Sequence, residues 1–214
     1  MVKKMIFSLG LVATLSFGAN LFIGMVAYEK GDYKTALPIF EELALKGDAE
    51  AQNHLGVMYE NGQGVKKDYL KAIEWYEKSV NQGDEMAQYN LGVVYHDSKG
   101  VRQDYKKAKE LWEKSANQGH AASQYNLGVM YYSGEGIKQD YKKAKEWYEK
   151  ATKQGHIKAQ YNLGVMYYSG EGVKQNYKKA KELFGIACDG GFQSGCKNYK
   201  ILNQQGYWYG IFKK

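Results

Sequence analysis

The residues best suited to chemistry lie near the C-terminus of this 214-residue chain, in Ser194-Gly195-Cys196-Lys197. A Ser-x-x-Lys spacing places a serine and a lysine on one face of a helix, as acyl-transfer enzymes with a serine nucleophile require. Lysine is frequent here, so such a match is expected by chance, and the companion Ser-Asp-Asn and Lys-Thr-Gly motifs are absent. Ser194 and Lys197 are the candidate catalytic pair, and the motif alone does not establish an enzyme.

The four histidines do not form a recognisable metal site. None stands in a His-x-His or His-Glu-x-x-His spacing. His120 and His156 directly follow a glycine that ends a helix, in the position that Asp48 and Asp84 occupy elsewhere. Side chains at this position cap the next helix, so turn or capping roles are expected. The sequence predicts no metal site and no cofactor.

A 36-residue period positions all of these groups. Leu-Gly pairs recur at Leu55-Gly56, Leu91-Gly92, Leu127-Gly128 and Leu163-Gly164, and alanines recur at Ala72, Ala108, Ala144 and Ala180. A period of this length is typical of helical repeat proteins, in which each unit buries its apolar face against its neighbours. We therefore expect an all-α fold, a right-handed α/α solenoid of helix pairs.

Each unit has a glycine inside its first helix and a glycine-rich connection to its second. An interior glycine costs about 1 kcal/mol relative to alanine, so its recurrence indicates that the partner helix approaches too closely for a side chain. The connection Gly134-Glu135-Gly136 lacks the Gly-Lys-Ser/Thr ending of a phosphate-binding loop and is expected to form turns. Asp140, like Asp68 and Asp104, is expected to cap the second helix.

The chain divides into four segments by composition and period. Residues 1–18 combine Lys3 and Lys4, an apolar run and small residues, which is typical of a secretory signal peptide cleaved after Gly18. Residues 19–48 form a shorter tetratricopeptide-like capping repeat, with Pro38 inside its second helix. Residues 49–192 hold four repeats of 36 residues, and 193–214 a C-terminal capping helix with an aromatic tail. No membrane span is expected after signal cleavage.

The net charge of +7 falls to +5 when Lys3 and Lys4 are removed with the signal peptide. Arg102 is the one arginine, and the lysines are spread along the helices. Solvated lysine faces explain this distribution, so no nucleic-acid partner is expected.

The pattern YNLGxxYxxGxGVxxDYxKAxxWYxKA, found between Gln124 and Ala151 and in its copies, resembles the Sel1-like repeat, a tetratricopeptide relative with a longer interhelical loop. The last unit, from Ala187 to Cys196, also resembles the cysteine-pair signature of the Helicobacter cysteine-rich protein family. That resemblance implies a secreted or periplasmic solenoid with penicillin binding and weak β-lactamase activity, and hence a β-lactam or peptidoglycan-related ligand as the alternative to a protein partner. The family has such a pair in every unit, whereas this chain has one.

The two cysteines are expected to form a disulfide. Cys188 falls in the last turn of one helix and Cys196 about two turns into the next, across a Gly-Gly reversal, so the side chains can meet. A bridge over so short a loop adds about 2–3 kcal/mol to the free energy of unfolding. A metal site or a reactive thiol is the alternative, but a metal would need two further ligands, and none recurs nearby.

The first helices leave a set of positions that packing does not use, and these are the candidate binding residues. Asparagine can hold an extended backbone through its donors and its acceptor, and tyrosine supplies rigid amphipathic contact area. We therefore expect a protein or peptide partner on a concave Tyr/Asn face; the competing explanation is recent duplication, since copies share unused residues too. The residues are Tyr89, Asn90 and Val93; Tyr125, Asn126, Val129 and Tyr132; and Tyr161, Asn162, Val165 and Tyr168.

Overall fold

The computed structural model describes residues 18–211, with side chains for 18–204. Eleven α-helices and no strand occupy this part of the chain. The predicted signal peptide, apart from Gly18, lies outside the described residues. The helices are α1 (18–29), α2 (Tyr33–Leu45), α3 (Ala49–Asn61), α4 (Tyr69–Val80), α5 (Glu85–His96), α6 (Tyr105–Asn117), α7 (Ala121–Ser133), α8 (Tyr141–Lys153), α9 (Ile157–Ser169), α10 (Tyr177–Asp189) and α11 (Gln193–Ile211).

The chain forms two compact units, Met1–Asp104 and Tyr105–Lys214. In the first unit, helices α2 to α5 pack consecutively on one another, and α1 lies against α2, where Gly24 meets Phe40. In the second unit, α6 to α11 pack in the same consecutive manner. The expected all-α architecture of paired helices is confirmed. Within residues 18–211, no helix is both long and apolar enough to cross a membrane.

Aspartate side chains cap α4 and α8 at two of the positions that the sequence indicated. Asp68 accepts hydrogen bonds from the backbone N–H groups of Leu70 and Lys71 at the start of α4. Asp140 accepts one from Lys143 at the start of α8. Each cap satisfies donors that the first helical turn cannot pair internally, so the long loop ends at a defined residue.

A glycine sets the distance between the two helices of a pair. A Cβ atom built on Gly128 in α7 would lie 2.5 Å from the Tyr148 ring in α8, and Gly56 in α3 meets the Tyr76 ring in α4 at the same distance. Favourable contacts between carbon atoms need about 3.5–4.0 Å, so only glycine fits. The close approach predicted from the Leu-Gly repeat is confirmed.

Helix α11 lacks the glycine that the earlier first helices carry at this position. Thirty-six residues after Gly164, the position is Lys200, whose side chain is exposed. Tyr199 replaces the leucine and lies against Gly185 of α10, with its ring 3.2 Å from the point where a Cβ atom on that glycine would lie. Helix α11 continues to Ile211, so residues 207–211 of the expected aromatic tail belong to the helix; the side chains from residue 205 onward lie outside the described part.

A disulfide joins Cys188 at the end of α10 to Cys196 in α11, with a Cα–Cα distance of 4.5 Å. The expected pairing is confirmed. In two earlier repeats, a hydrogen bond from a glutamine side chain joins the positions equivalent to Cys188 and Cys196. The amide of Gln124 donates to the Ala116 carbonyl at 3.1 Å, and the amide of Gln52 donates to the Ala44 carbonyl at 3.0 Å. The disulfide therefore replaces a recurring glutamine clip between one unit and the next.

Gly128→Ala is expected to lower the free energy of unfolding by about 1–3 kcal/mol, because the new methyl group overlaps the buried Tyr148 ring. Urea unfolding followed by circular dichroism measures the change. Gly185→Ala is the matched control, since it is also inside a helix but faces Tyr199, which is 38% exposed and not enclosed in the core as Tyr148 is. Alanine is the better helix former, so the control should be neutral or stabilising, and equal losses in both variants would refute the packing argument.

Exchanging the disulfide for the clip of the earlier units tests their equivalence. Cys188→Ala/Cys196→Gln, the pair found at Ala116 and Gln124, should keep the helical spectrum and lose about 2–3 kcal/mol of unfolding free energy, the contribution of the closed loop. Cys188→Ser/Cys196→Ser, which lacks the amide, should lose about 1 kcal/mol more. Equal stability of the two double variants would show that glutamine does not take over the role of the bridge.

Candidate functional site

The predicted binding positions of the second unit lie together on α7 and α9. These helices contact each other, and the side chains on this surface, which we call the first-helix face, are half-buried, with Tyr168 41% exposed. The 36-residue period carries the face onto α11, where Asn198 and Ile201 follow Asn162 and Val165. A small cleft of about 110 Å³ at this end is lined by Tyr168, Phe184, Asn198, Ile201 and Leu202.

Asparagine amides on the face donate hydrogen bonds to tyrosine hydroxyls of neighbouring helices. The Asn162 amide on α9 donates to the Tyr148 hydroxyl on α8 at 3.2 Å. The Asn198 amide donates to the Tyr161 hydroxyl at 3.3 Å, across 37 residues of sequence. The asparagine row therefore serves partly to join successive repeats.

Tyr132 lies at the edge of the face with a fixed hydroxyl. It donates to the Glu171 carboxylate at 2.6 Å, and its ring meets Tyr141 edge-on at a centroid distance of 5.3 Å. Burial, with the hydrogen bond to Glu171, raises the pKa of Tyr132 to about 12. The same hydrogen bond lowers the pKa of the Glu171 carboxyl. Tyr132 is therefore a neutral, rigid side chain at neutral pH.

Tyr168 and Tyr177 form the same edge-on pair one 36-residue repeat later, with a ring-centroid distance of 5.4 Å. The residue that would stand for Glu171 is here Tyr207. Tyr168 and Tyr177 are also more exposed than the earlier pair, at 41% and 50%. This pair is the largest exposed aromatic area beside the first-helix face in the described part of the second unit.

The corresponding positions of the first unit have different surroundings. Tyr89, Asn90 and Val93 are half-buried on α5. The Asn90 amide donates to the Asn53 side-chain oxygen at 3.0 Å, again across 37 residues. Nearby, Glu60 accepts hydrogen bonds from Lys99 at 2.9 Å and from Tyr76 at 2.8 Å. An ion pair thus replaces the tyrosine that occupies the equivalent edge in the second unit.

The histidines cap and pack, as the sequence indicated for two of them. The Nδ1 atoms of His120 and His156 accept from the backbone N–H groups of Ser123 and Ala159. His54 stacks on Phe40 with a centroid distance of 4.6 Å, and burial lowers its pKa. Across residues 18–211, no cluster of three or more His, Cys, Asp or Glu side chains is arranged to hold a metal ion.

Ser194 and Lys197 are exposed in the first turns of α11. In the described structure, no hydrogen bond joins the two side chains, and none involves the Ser194 hydroxyl. A serine nucleophile needs a base within hydrogen-bonding reach. The pair therefore stays a candidate from sequence spacing, without an assembled catalytic geometry.

Sequence reasoning missed Glu171, Asn198 and Ile201 as part of the site. The period was a sufficient signal for Asn198 and Ile201, since both lie 36 residues after predicted members of the face. Glu171 had no such signal, because its contact with Tyr132 joins a loop of one unit to a helix of the unit before it.

The Sel1 repeat model matches four consecutive segments, residues 49–84, 85–120, 121–156 and 157–192. No curated protein matches the chain. Among solved structures, a protective antigen present in uropathogenic Escherichia coli strains, displaying an SLR fold, is 33% identical with a TM-score of 0.82, over 89% of this chain and 42% of that one. A Sel1 repeat protein from Oxalobacter formigenes is 30% identical with a TM-score of 0.78, over 82% and 70%. Helicobacter pylori cysteine rich protein B is 28% identical with a TM-score of 0.49, over 62% and 96%. This chain thus spans less than half the length of the first of these structures.

The cap at His156 makes the second unit sensitive to acid. Its ring stacks on Tyr125 at 4.7 Å, and burial, followed by the charges of Lys158 and His120, lowers the His156 pKa. The unfolded chain, with an ordinary pKa of about 6.5, then binds a proton more readily than the folded one. The cap's contribution is complete above that pKa and is lost as the pH falls through it toward the lowered value, because the imidazolium cannot accept a hydrogen bond.

His156→Asp is expected to remove about 1 kcal/mol of this loss between pH 7.5 and pH 5, because aspartate caps while ionised, as Asp48 and Asp84 do. Urea midpoints at the two pH values measure it. The reverse exchange, Asp48→His, should add acid sensitivity to the first unit. His54 contributes equally to both proteins, so the difference from the unchanged chain is the quantity to compare, and parallel pH curves would contradict the capping role.

Proposed function

The chain belongs to the Sel1 repeat family, and we propose that it is a scaffold that binds a protein or peptide partner through the first-helix face. The observation that carries the proposal is the row of uncharged tyrosine, asparagine and valine side chains on α7 and α9, which Asn198 and Ile201 extend onto α11. No residue of that row on α7 or α9 is charged. Binding of this kind needs no cofactor.

The chemistry of the face suits a polypeptide backbone better than an ionic ligand. Tyrosine offers a large contact area with few rotatable bonds, so ordering it costs little entropy. Amide groups that remain after the inter-unit bonds can pair with backbone N–H and C=O groups, which every peptide carries. Valines between them provide apolar area that water leaves on binding.

The spacing of the face sets the length of the peptide. Packed helices lie about 8–10 Å apart, and an extended strand rises about 3.3 Å per residue. Each helix of the face would therefore meet about three residues. The three helices α7, α9 and α11 together match a peptide of about nine residues.

We further propose that the protein works outside the cytoplasm, in the periplasm or as a secreted protein. The disulfide between Cys188 and Cys196 supports this, because such bonds persist in oxidising compartments. The residues expected to form the signal peptide agree with it in sequence. Sec-dependent processing to a chain that begins at Ala19 would be visible by mass spectrometry of the exported protein.

Selection from a displayed library of random 12-residue peptides tests the binding face directly. Peptides enriched on the unchanged protein should bind Val165→Thr/Tyr168→Ala at least tenfold more weakly, because apolar and aromatic anchors dominate such interfaces. Fluorescence anisotropy of labelled peptides measures the dissociation constants.

The control variant removes apolar area from another surface of the second compact unit. Ile186→Ala changes an exposed side chain on α10, outside the first-helix face. It should leave peptide affinity unchanged. Failure to enrich any peptide, or equal losses in both variants, would overturn the assignment of the face.

A further inference from the structure

A second surface of the second unit contains a cationic cleft. It has a volume of about 650 Å³ and lies between α8, the end of α9 and the loop that leads into α10. Four lysines line it, Lys142, Lys145, Lys174 and Lys179, with Glu146 as the one carboxylate. The lining thus carries a net charge of +3, on residues that take no part in the first-helix face.

The lysines of the cleft are only partly neutralised. Lys145 forms an ion pair with Glu149 at 2.8 Å, outside the cleft lining. Lys179 donates to the Tyr167 hydroxyl at 2.8 Å and lies over its ring. In the described part of the chain, Lys142 and Lys174 have no carboxylate within ion-pair distance. Positive charge therefore accumulates beside Tyr167, which provides an aromatic wall.

The start of α10 adds to this charge. Its first turn contains Lys178 and Lys179 and no acidic residue. Cations at a helix N-terminus are disfavoured, because the backbone dipole is positive at that end. The arrangement costs stability in the free protein, and an anion in the cleft would offset that cost.

The preceding 36-residue repeat contains the same lining residues in sequence, and the two clefts differ in charge at one position. Thirty-six residues earlier, the four lysines and the glutamate recur as Lys106, Lys109, Lys138, Lys143 and Glu110. Asp140 stands where the later cleft has Asn176. Both side chains cap their helices by accepting from a backbone N–H at 3.0 Å. The exchange to asparagine keeps the cap and removes a carboxylate from the cleft.

We propose that the cleft at Asn176 binds a small multivalent oxyanion, a phosphomonoester or diphosphate group. Lysine ammonium groups act as point charges toward phosphate oxygens. Because the cleft has no arginine, it recognises total charge rather than the planar geometry of one group. The group can belong to a soluble molecule or to a lipid headgroup.

Calorimetric titration of the full chain with inorganic pyrophosphate tests the site and its dependence on residue 176. The unchanged protein should bind one equivalent. Asn176→Asp restores the charge of the earlier cleft and should weaken binding about tenfold, the effect of one added negative charge at close range. Asp140→Asn should raise the stoichiometry from one to two, since it gives the earlier cleft the same charges.

A pair of lysine variants separates a site from general surface charge. Lys174→Gln should weaken pyrophosphate binding about tenfold. Lys153 is an exposed lysine of the second compact unit that lies outside the cleft, so Lys153→Gln should leave binding unchanged. Equal effects of the two variants, or unchanged stoichiometry in Asp140→Asn, would overturn the proposal.

Sedimentation with phosphatidylcholine vesicles that contain phosphatidic acid distinguishes the sources of the phosphate group. Residue-176-dependent binding to pyrophosphate alone identifies a soluble ligand, and such binding to the vesicles identifies a lipid headgroup. Absence of binding to both probes would refute the cleft as an anion site.

Discussion

The contact between an aromatic ring and a helix-interior glycine determines the geometry of three helix pairs, α3/α4, α7/α8 and α9/α10. Tyr76 lies against Gly56, Tyr148 against Gly128 and Phe184 against Gly164, with distances of 2.5 to 2.8 Å to an added Cβ. This contact fixes the second helix on one side of the first helix. The residues of the first helix that do not face the second helix then form a surface. The first-helix face is thus a consequence of the packing that holds the pair together.

The fold could be predicted from sequence because duplication repeats each local signal. The Leu-Gly pairs, the Asp68 and Asp140 caps and the helix periodicity all indicate the same helix pair, and their agreement at a fixed period excludes most alternatives. The cysteine pair was predictable for a related reason, since a short loop with a glycine reversal brings Cys188 and Cys196 together.

The use of the face residues was less predictable than their position. A helical wheel of one unit shows that Asn90 and Asn162 are available, but it cannot show the partners supplied by the neighbouring unit. Asn53 is the partner of Asn90, 37 residues away, and Tyr148 of the preceding repeat accepts a hydrogen bond from Asn162. Contacts between neighbouring repeats depend on how far each helix is displaced relative to the next, and the sequence of a single repeat does not determine that displacement. The solvent-accessible tyrosine and valine surface is therefore better suited than the asparagine amides to select a ligand.

The last 36-residue repeat and the start of α11 differ from the earlier repeats at positions that alter side-chain chemistry and leave the helix arrangement unchanged. A disulfide takes the place of the glutamine clip, Asn176 takes the place of Asp140, and the Tyr168–Tyr177 pair is left more exposed than the earlier one. Each exchange keeps a structural role, a link, a cap or a ring contact, while it alters stability, charge or exposed area. Divergence at the C-terminal end thus concentrates new surface properties on an unchanged arrangement of helices.

Amide and methyl chemical-shift mapping with a selected peptide tests the central claim most directly. The account predicts that the shifts move at Val129, Tyr132, Val165 and Tyr168 and fade along the second helices α8 and α10. Shifts confined to α8 and α10, with the valine methyl groups of α7 and α9 unchanged, would contradict it.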